Sequence, residues 1–117
     1  MKYQYKITSG SLNDIPVIYI EGDLTSDAGN ELKTIYSDLG KTSDVTRVVV
    51  NFEKCKYINS SGIASLISII QTTNDNNGTT YFVGLSDHLH KVMDIVGLTD
   101  FVKIFKTNEE VLKEADQ

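Results

Sequence analysis

The sequence has little cysteine or histidine and no long apolar segment, and these absences exclude several classes of protein. Cys55 is the only cysteine and His88 and His90 are the only histidines, so we expect neither an internal disulfide nor a set of metal ligands. No apolar run approaches the roughly 20 residues that a membrane-spanning helix needs. The amino-terminal residues also lack the apolar segment of a secretory signal. The sequence therefore predicts a cytoplasmic protein that binds no metal and no cofactor.

Basic residues are few and scattered. The eleven lysines and arginines are spread along the chain, and the formal net charge is −5. Because nucleic acid and anionic lipid are bound through clustered positive charge, we expect no direct contact with nucleic acid or with a membrane. The chain has 117 residues, of which 40% are hydrophobic and 23% charged. This size and balance are typical of one globular domain, spanning residues 1–117.

Strand and helix patterns alternate from the start of the chain. Alternating apolar side chains in residues 3–7 and a branched, aromatic run in residues 15–21 predict two strands. A turn at residues 10–14 can join them as a hairpin. The next segment, residues 25–40, has the apolar period of an amphipathic helix, which Thr25 or Ser26 can cap.

The same alternation continues to the end of the chain. Residues 45–52 have the uninterrupted apolar centre of a strand covered on both faces, and residues 53–57 are predicted as a connector. The later elements are a helix that starts just past Ser60-Ser61-Gly62, a strand at 79–85, a helix closing at Gly97, a strand at 101–105 and a helix after a capping box at 107–110. This order predicts an α/β fold: a mostly parallel sheet of four or five strands with an N-terminal edge hairpin, covered by about four helices.

The most distinctive segment is Asn59-Ser60-Ser61-Gly62, which follows the central strand and opens directly into an apolar helix. In such folds, functional groups gather at the carboxyl ends of strands, where helix amino termini present unpaired N–H groups. A phosphoryl group on Ser60 would be stabilised there by about 0.3–1 kcal/mol, and by up to ~2 kcal/mol in a partly buried site. Asn59 or Ser60 could equally be an ordinary N-cap, so both interpretations stay open.

The helix into which this segment opens has a polar face of short side chains. Ser61, Ser65, Ser68 and Thr72, which we call the hydroxyl stripe, recur at helical spacing opposite the apolar positions. Short hydroxyl side chains let another protein approach closely and lose little entropy when they are immobilised. We therefore expect the hydroxyl stripe to be an exposed docking surface. A chance run of serines on an exposed helix is the alternative.

No arrangement of residues predicts an enzyme. Ser60 lacks the G-x-S-x-G elbow of a hydrolase nucleophile, and a His–Asp relay would need His88 or His90 to lie nearby by coincidence. A response-receiver domain would end its central strand in a phosphoacceptor aspartate, where this chain has Asn51 and Phe52. We predict a protein that acts by binding.

Three segments, at residues 57–63, 22–24 and 92–98, resemble the STAS-domain anti-sigma factor antagonists of bacteria. Residues 57–63, which follow the 48–52 strand, resemble the family's D-S-[ST]-G-[LI] signature, and residues 22–24 resemble its G-x-[LI]-D turn. The last part of the chain resembles the closing region of the family, and the matching residues are 92–98, Phe101, Ile104, Phe105, Glu109 and Glu110. The ordered set covers essentially the whole chain.

The resemblance implies a phosphorylation switch. In that family the first serine of the signature, here Ser60, is phosphorylated by a partner that is both an anti-sigma factor and a serine-protein kinase of the histidine-kinase-like ATPase type. A PP2C-type serine phosphatase removes the phosphate. The unmodified antagonist binds the anti-sigma factor and frees the sigma factor, whereas the phosphorylated form lets go. The expected partner-binding residues are Thr25, Asn59, Ser60, Ser61, Gly62, Ser65 and Ser68.

The chain departs from the family pattern at two positions. Asn59 stands in place of the aspartate before the serine, and Thr25 stands in place of the acid that ends the G-x-[LI]-D turn. Asp23 or Asp27 could partly substitute for these acids. The departures keep a second hypothesis open, in which the chain is a STAS scaffold or ligand-sensing module that acts through protein–protein contacts and is never phosphorylated.

Overall fold

Five strands and four helices make up the part of the chain that the computed structural model describes, residues 5–41 and 45–115. In chain order they are β1 (Tyr5–Leu12), β2 (Ile15–Leu24), α1 (Ser26–Leu39), β3 (Arg47–Ile58), α2 (Ser60–Asp75), β4 (Thr79–Val83), α3 (Asp87–Ile95), a 3₁₀ turn (Leu98–Asp100), β5 (Lys103–Phe105) and α4 (Asn108–Ala115). The alternation of strands and helices is the predicted one.

The strands form one sheet in the order β1-β2-β3-β4-β5. β1 and β2 are antiparallel and the other neighbours are parallel, which confirms the α/β fold with an N-terminal hairpin. The hairpin turns at Asn13 and Asp14, whose φ angles are 46° and 76°. Asparagine and aspartate tolerate this left-handed conformation. β1 continues to Leu12, so the turn is shorter than the predicted 10–14; residues 3 and 4 of the first predicted strand lie outside the described residues.

The two faces of the sheet are covered unequally. α1, α2 and α3 pack on one face, where the core includes Val48, Val50 and Phe82. On the other face α4 contributes Val111, which packs in a smaller cluster with Val49. Because alternate residues of a strand point to opposite faces, β3 is buried on both sides, as its uninterrupted apolar centre predicts.

β3 is longer than predicted, because residues 53–57 continue the strand and do not form a connector. These residues pair with β2, and the register shifts twice along the pairing. Such bulges break the alternation of inward and outward side chains, so the segment has no two-residue period. The extension brings the ends of β2 and β3 together, with Leu24 opposite Ile58.

The later elements differ from the prediction at their ends. β4 stops at Val83, before Gly84 with a left-handed φ of 76°. The chain passes so close to Glu53 here that a Cβ on Gly84 would lie 2.3 Å from Glu53 Cγ, which only glycine permits. β5 begins at Lys103 and not at Phe101, whose side chain is 60% exposed.

The last two helices both begin with a side-chain cap. Ser86 Oγ accepts a hydrogen bond from Leu89 N at 3.1 Å at the start of α3. At α4, Glu110 N donates to Thr107 Oγ1 at 3.3 Å, and Glu110 Oε1 accepts from the backbone N–H groups of Lys106 and Thr107 at 2.7 and 3.1 Å. These reciprocal bonds are the capping box that the sequence indicates.

Candidate functional site

The amino termini of α1 and α2 lie side by side at the carboxyl edge of the sheet. β2 ends at Leu24, directly opposite Ile58 at the end of β3. Asn59 N donates to the Leu24 carbonyl at 3.3 Å, which joins the two strand-to-helix connections. Thr25 is the N-cap of α1 and Asn59 is the N-cap of α2. The structure therefore brings together Thr25 and the Asn59-Ser60 segment, which are far apart in sequence.

Asn59, and not Ser60, caps α2. Asn59 Oδ1 accepts a hydrogen bond from Gly62 N at 3.0 Å, and the Asn59 carbonyl accepts one from Ile63 N at 3.0 Å. Ser60 is the first residue of the helix, and its side chain is exposed. No hydrogen bond to another described residue holds the Ser60 hydroxyl. The N-cap role and the exposed hydroxyl thus belong to neighbouring residues, because Asn59 is the cap and Ser60 has its hydroxyl at the surface.

Gly62 sets how closely α2 approaches the end of β2. This residue is buried, and a Cβ added to it would lie 2.2 Å from the Leu24 carbonyl oxygen and 3.0 Å from Ile58 Cγ1. Any larger residue would force the helix away from the strand. The sequence places Gly62 among the partner-binding residues, but its burial gives it a packing role within the site and no exposed surface for a partner.

The expected exposure of the hydroxyl stripe is wrong at Ser65, which is only 4% exposed. Ser65 Oγ donates to the Ser61 carbonyl at 3.1 Å and lies against α1, where a Cβ on Gly29 would be 2.2 Å away. Ser65 is at the border of the polar arc of α2, and the close approach of α1 covers it. Ser61, Ser68 and Thr72 are exposed as predicted.

The exposed surface at the start and middle of α2 is neutral. Its members, which we call the α2 outer face, are Ser60, Ser61, Ala64, Ile67, Ser68 and Gln71. The first charged side chain of the helix is Asp75, its last residue. Ile67 is 36% exposed, although the sequence pattern assigns it to the buried stripe. A helical projection, which places Ile67 at the edge of that stripe, is the signal that could have identified it.

Thr25 lies at the start of α1 with an extended backbone, and its side chain makes no capping hydrogen bond. It is partly buried beside the site. Asp23, at the end of β2, is also partly buried, whereas Asp27 is exposed in the first turn of α1. These are the acids nearest in sequence to Thr25, and neither occupies the family's position at residue 25.

Cys55 is buried in the extended end of β3. Burial raises the pKa of its thiol to about 11, against smaller opposing effects of backbone hydrogen bonds at Tyr57 and Leu24. The thiol is therefore protonated at neutral pH and is a poor nucleophile. This environment fits a packing role for Cys55.

Two further properties concern ligands and membranes. Within residues 5–41 and 45–115, no three His, Cys, Asp or Glu side chains are grouped as ligands for a metal ion. No helix in the same ranges is both long and apolar enough to cross a bilayer.

Known proteins share both the sequence pattern and the fold. A family model described as the STAS domain matches residues 7–111. The anti-sigma-B factor antagonist of Staphylococcus aureus is 26% identical over 93 residues, which are 79% of this chain and 84% of that protein.

Two solved structures resemble the whole chain. An anti-sigma factor antagonist from Mycobacterium paratuberculosis superposes with a TM-score of 0.84 at 11% identity, over 97% of this chain and 96% of that one. SpoIIAA, a Bacillus cell fate determinant, superposes in its phosphorylated form with a TM-score of 0.74 at 22% identity, over 95% and 98%. At these identities the likeness shows the fold alone. Since the family model spans nearly all of the sequence, this chain belongs to the STAS domain family.

Proposed function

We propose that this chain is an anti-sigma factor antagonist, a cytoplasmic protein that binds an anti-sigma factor through the α2 outer face and so releases a sigma factor. Phosphorylation of Ser60 switches this binding off. The observation that carries the proposal is the position of Ser60, whose exposed hydroxyl lies at the start of α2 and at the edge of an uncharged surface. The chain acts by binding and not by catalysis.

The composition of the α2 outer face supports its use as a docking surface. Its hydroxyl side chains are short and lose little conformational entropy when a partner covers them. Ala64 and Ile67 add apolar area in the middle of the face. Charged residues are depleted at the centres of protein interfaces, and this face has none. Ser68 contributes to the same surface, whereas Ser65 supports it from below through its contact with α1.

The start of α2 can accommodate a phosphate without rearrangement. Asn59 accepts hydrogen bonds from the N–H groups of Gly62 and Ile63 through its side chain and its carbonyl. The N–H groups of Ser60 and Ser61 therefore have no partner inside the helix. Unpaired N–H groups and the helix dipole both favour an anion at this end. The Asn59 amide can also donate a hydrogen bond to a phosphate, which an aspartate at this position would repel.

The same phosphate would disrupt the complex. It adds about −1.5 to −2 charges at the edge of a neutral face. α2 contains no lysine or arginine that could neutralise this charge. A thousandfold loss of affinity needs only about 4 kcal/mol, and a desolvated, unpaired charge in an interface costs several kcal/mol. The switch is therefore local and needs no refolding of the domain.

The proposed partners are two proteins. The first is the anti-sigma factor itself, a serine-protein kinase of the histidine-kinase-like ATPase type, and the second is a PP2C-type serine phosphatase that restores the unmodified form. The Staphylococcus aureus relative is an anti-sigma-B factor antagonist, and SpoIIAA has been solved in a phosphorylated form. Both findings support a protein partner and a phosphorylation switch for this chain.

Two residues favour a second function, that of an unmodified STAS scaffold or ligand-sensing module. Asn59 and Thr25 stand at the positions where the family has acids, so the side chains beside the acceptor hydroxyl are neutral. A kinase that requires those acids would not modify Ser60. In this case the α2 outer face would still bind a protein, but without a switch.

Phosphorylation in vitro separates the two functions. The chain would be incubated with ATP and a histidine-kinase-like ATPase from the same genome, and the Ser60 peptide examined by mass spectrometry. We expect one phosphate on Ser60 in the wild type, none in Ser60→Ala, and an unchanged amount in Ser68→Ala, the matched control on the same exposed face. A stable complex without phosphorylation would favour the scaffold. Phosphate on a different residue would contradict the role of Ser60.

A further inference from the structure

One asparagine of the chain is followed by glycine, at Asn77-Gly78. The side-chain amide of an asparagine can be attacked by the backbone nitrogen of the next residue, and a glycine has no side chain to obstruct that attack. Every other asparagine of the sequence precedes a residue that has a side chain. In the unfolded chain, spontaneous deamidation is therefore expected to be fastest at Asn77.

The pair lies directly after α2, in the turn that leads to β4. Asn77 is exposed and has a left-handed φ of 59°. Asn77 N donates to the Asn74 carbonyl at 2.9 Å, and Gly78 N donates to the Thr73 carbonyl at 2.8 Å. These two bonds form the Schellman motif that closes many helices, and asparagine is one of the residues found at its left-handed position.

The Schellman motif holds Gly78 where it cannot attack. The N–H group of Gly78 is bonded to the Thr73 carbonyl, and there is no free space around this residue. A Cβ on Gly78 would lie 2.6 Å from the Thr46 carbonyl oxygen and 2.8 Å from Thr73 Cγ2. For the reaction, the Gly78 nitrogen must lose its proton and turn toward Cγ of Asn77. Both steps require the last turn of α2 to open.

The charges in the last turn of α2 favour such opening. The carboxyl end of a helix dipole is negative, and Asp75, the last residue of α2, adds an acid there. The last turn contains no basic residue that would offset these charges. Residues 74–77 are all exposed, so their side chains contribute little packing. Helix ends with few buried contacts open locally more often than the whole domain unfolds.

We propose that Asn77 is a site of spontaneous deamidation, and that local opening of the last turn of α2 controls the reaction. In the open turn, the Gly78 nitrogen attacks Cγ of Asn77. A bond forms between these two atoms, the Cγ–Nδ2 bond breaks, and Nδ2 leaves as ammonia with the proton that Gly78 loses. Water then opens the cyclic imide to give aspartate or isoaspartate. The inference does not depend on the proposed function.

Either product weakens the end of the helix. Both products add a negative charge at the negative end of the α2 dipole, two residues after Asp75. Isoaspartate also routes the backbone through Cγ, which lengthens the chain between residues 77 and 78 and disrupts the spacing of the Schellman bonds. Deamidation is therefore a one-way change that leaves the protein less stable.

Peptide mass spectrometry of the chain, incubated at mildly alkaline pH with and without concentrated urea, measures the deamidation rate at each asparagine. We expect Asn77 to react first in both conditions. In the folded chain it should react at least about tenfold more slowly than in urea, because only the open fraction reacts. Asn77→Gly should lose the signal and stay folded, since glycine suits the left-handed position. Equal rates in the two conditions would refute control by the fold, and an earlier reaction at another asparagine would refute the assigned site.

The ratio of the rate in urea to the rate in buffer measures how strongly the fold protects Asn77. Asp75→Lys places a cation at the negative end of α2 and should raise this ratio by about two- to fivefold. Glu31→Lys, the same change on an exposed position of α1, should leave the ratio unchanged. Val111→Ala, which weakens the smaller core cluster, should also leave it unchanged. An unaltered ratio in Asp75→Lys would contradict opening at the end of α2, and a lower ratio in Val111→Ala would show that global unfolding is required.

Asn77→Asp reproduces one product and tests the effect on stability. Urea titration should show a folding equilibrium constant lower than that of the wild type by about two- to fivefold. Asn30→Asp adds the same charge at an exposed position of α1, away from any helix carboxyl end, and should not lower it. Equal stability of Asn77→Asp and wild type would refute the weakening of α2.

Discussion

The starts of α2 and α4 are both capped, but they leave different groups available to a ligand. At α4 the capping is reciprocal, because Thr107 Oγ1 accepts from Glu110 N while the Glu110 carboxylate accepts from the N–H groups of Lys106 and Thr107. Glu109 and Glu110 also place two acids in the first turn. At α2, Asn59 is the cap, and the first turn has no acid.

The other two helices resemble α4 in this respect. The first turn of α1 contains Asp27, and that of α3 contains Asp87. Among the four described helices, only α2 therefore has no carboxylate of its own near the positive end of its dipole. In three helices an acid thus offsets the positive charge at the helix amino terminus. At α2 this positive end has no such acid, and the exposed hydroxyl of Ser60 lies next to it. That is the electrostatic setting that a reversible phosphate needs.

Ser60→Asp removes this difference by giving α2 an acid in its first turn, at the edge of the α2 outer face, which we propose binds the anti-sigma factor. We expect binding of the anti-sigma factor to weaken by about two to three orders of magnitude, or ~3–4 kcal/mol, because the carboxylate would be covered without a partner charge. Ser60→Ala should bind like the wild type. Isothermal titration calorimetry measures both, and Ser37→Asp on the exposed side of α1 controls for net charge. Equal affinities for wild type and Ser60→Asp would refute the switch.

Gly62→Ala tests whether the start of α2 depends on its close contact with the end of β2. The added methyl group would lie 2.2 Å from the Leu24 carbonyl oxygen, which cannot move without disturbing the sheet, so we expect a loss of about 1–3 kcal/mol in the free energy of unfolding. Gly40→Ala is the matched control at the end of α1. An added Cβ there would be in ordinary van der Waals contact with the Ser37 carbonyl oxygen, at 3.5 Å, and φ is −76°. That variant should be neutral or more stable by up to about 1 kcal/mol. Urea denaturation measures the free energy of unfolding of both variants. Equal effects would show that the close contact with Leu24 does not limit the size of the side chain at residue 62.

Asn59→Ala and Thr107→Ala compare the two caps directly. Asn59 provides the side-chain bond to Gly62 N at α2, and its loss should lower the free energy of unfolding by about 1 kcal/mol. At α4, the Glu110 carboxylate would still accept hydrogen bonds from the backbone N–H groups of residues 106 and 107 after Thr107 is truncated. We therefore expect a smaller loss in the free energy of unfolding there. Thermal and urea unfolding provide the comparison. A larger loss at Thr107 would show that the reciprocal bonds at α4 are not redundant.

The order of the elements and the position of Ser60 could be predicted because both depend on local signals. Apolar periods, turn residues and caps act within a few residues, and the segment from Asn59 to Gly62 has a strong helix-start pattern. Which residue of that segment is the cap could not be predicted, since Asn59 and Ser60 are both good caps and the choice depends on where β3 ends.

The remaining errors come from contacts between distant segments. Residues 53–57 lack an alternating pattern because bulges adapt β3 to β2, and only the partner strand reveals them as a strand. Ser65 is buried because Gly29, on another helix, lets α1 approach it closely. Ile67 is exposed because the neighbouring helix lies on the opposite side of α2. For residues 53–57 and Ser65, one sequence segment alone does not contain the information, whereas a helical projection of α2 already places Ile67 at the edge of its apolar stripe.

The smallest expected effect is also the most direct test of the electrostatic difference between α2 and α4. Ser61→Glu adds to α2 the acid that the other helices have, at an exposed position in the first turn, and should stabilise the protein by about 0.3–1 kcal/mol. Glu109→Gln removes an exposed acid from the first turn of α4 and should destabilise it by a similar amount. Both effects are interactions of exposed charges, so they should shrink as salt is added to the urea titrations. If Ser61→Glu were destabilising and insensitive to salt, the start of α2 would not be an uncompensated positive end.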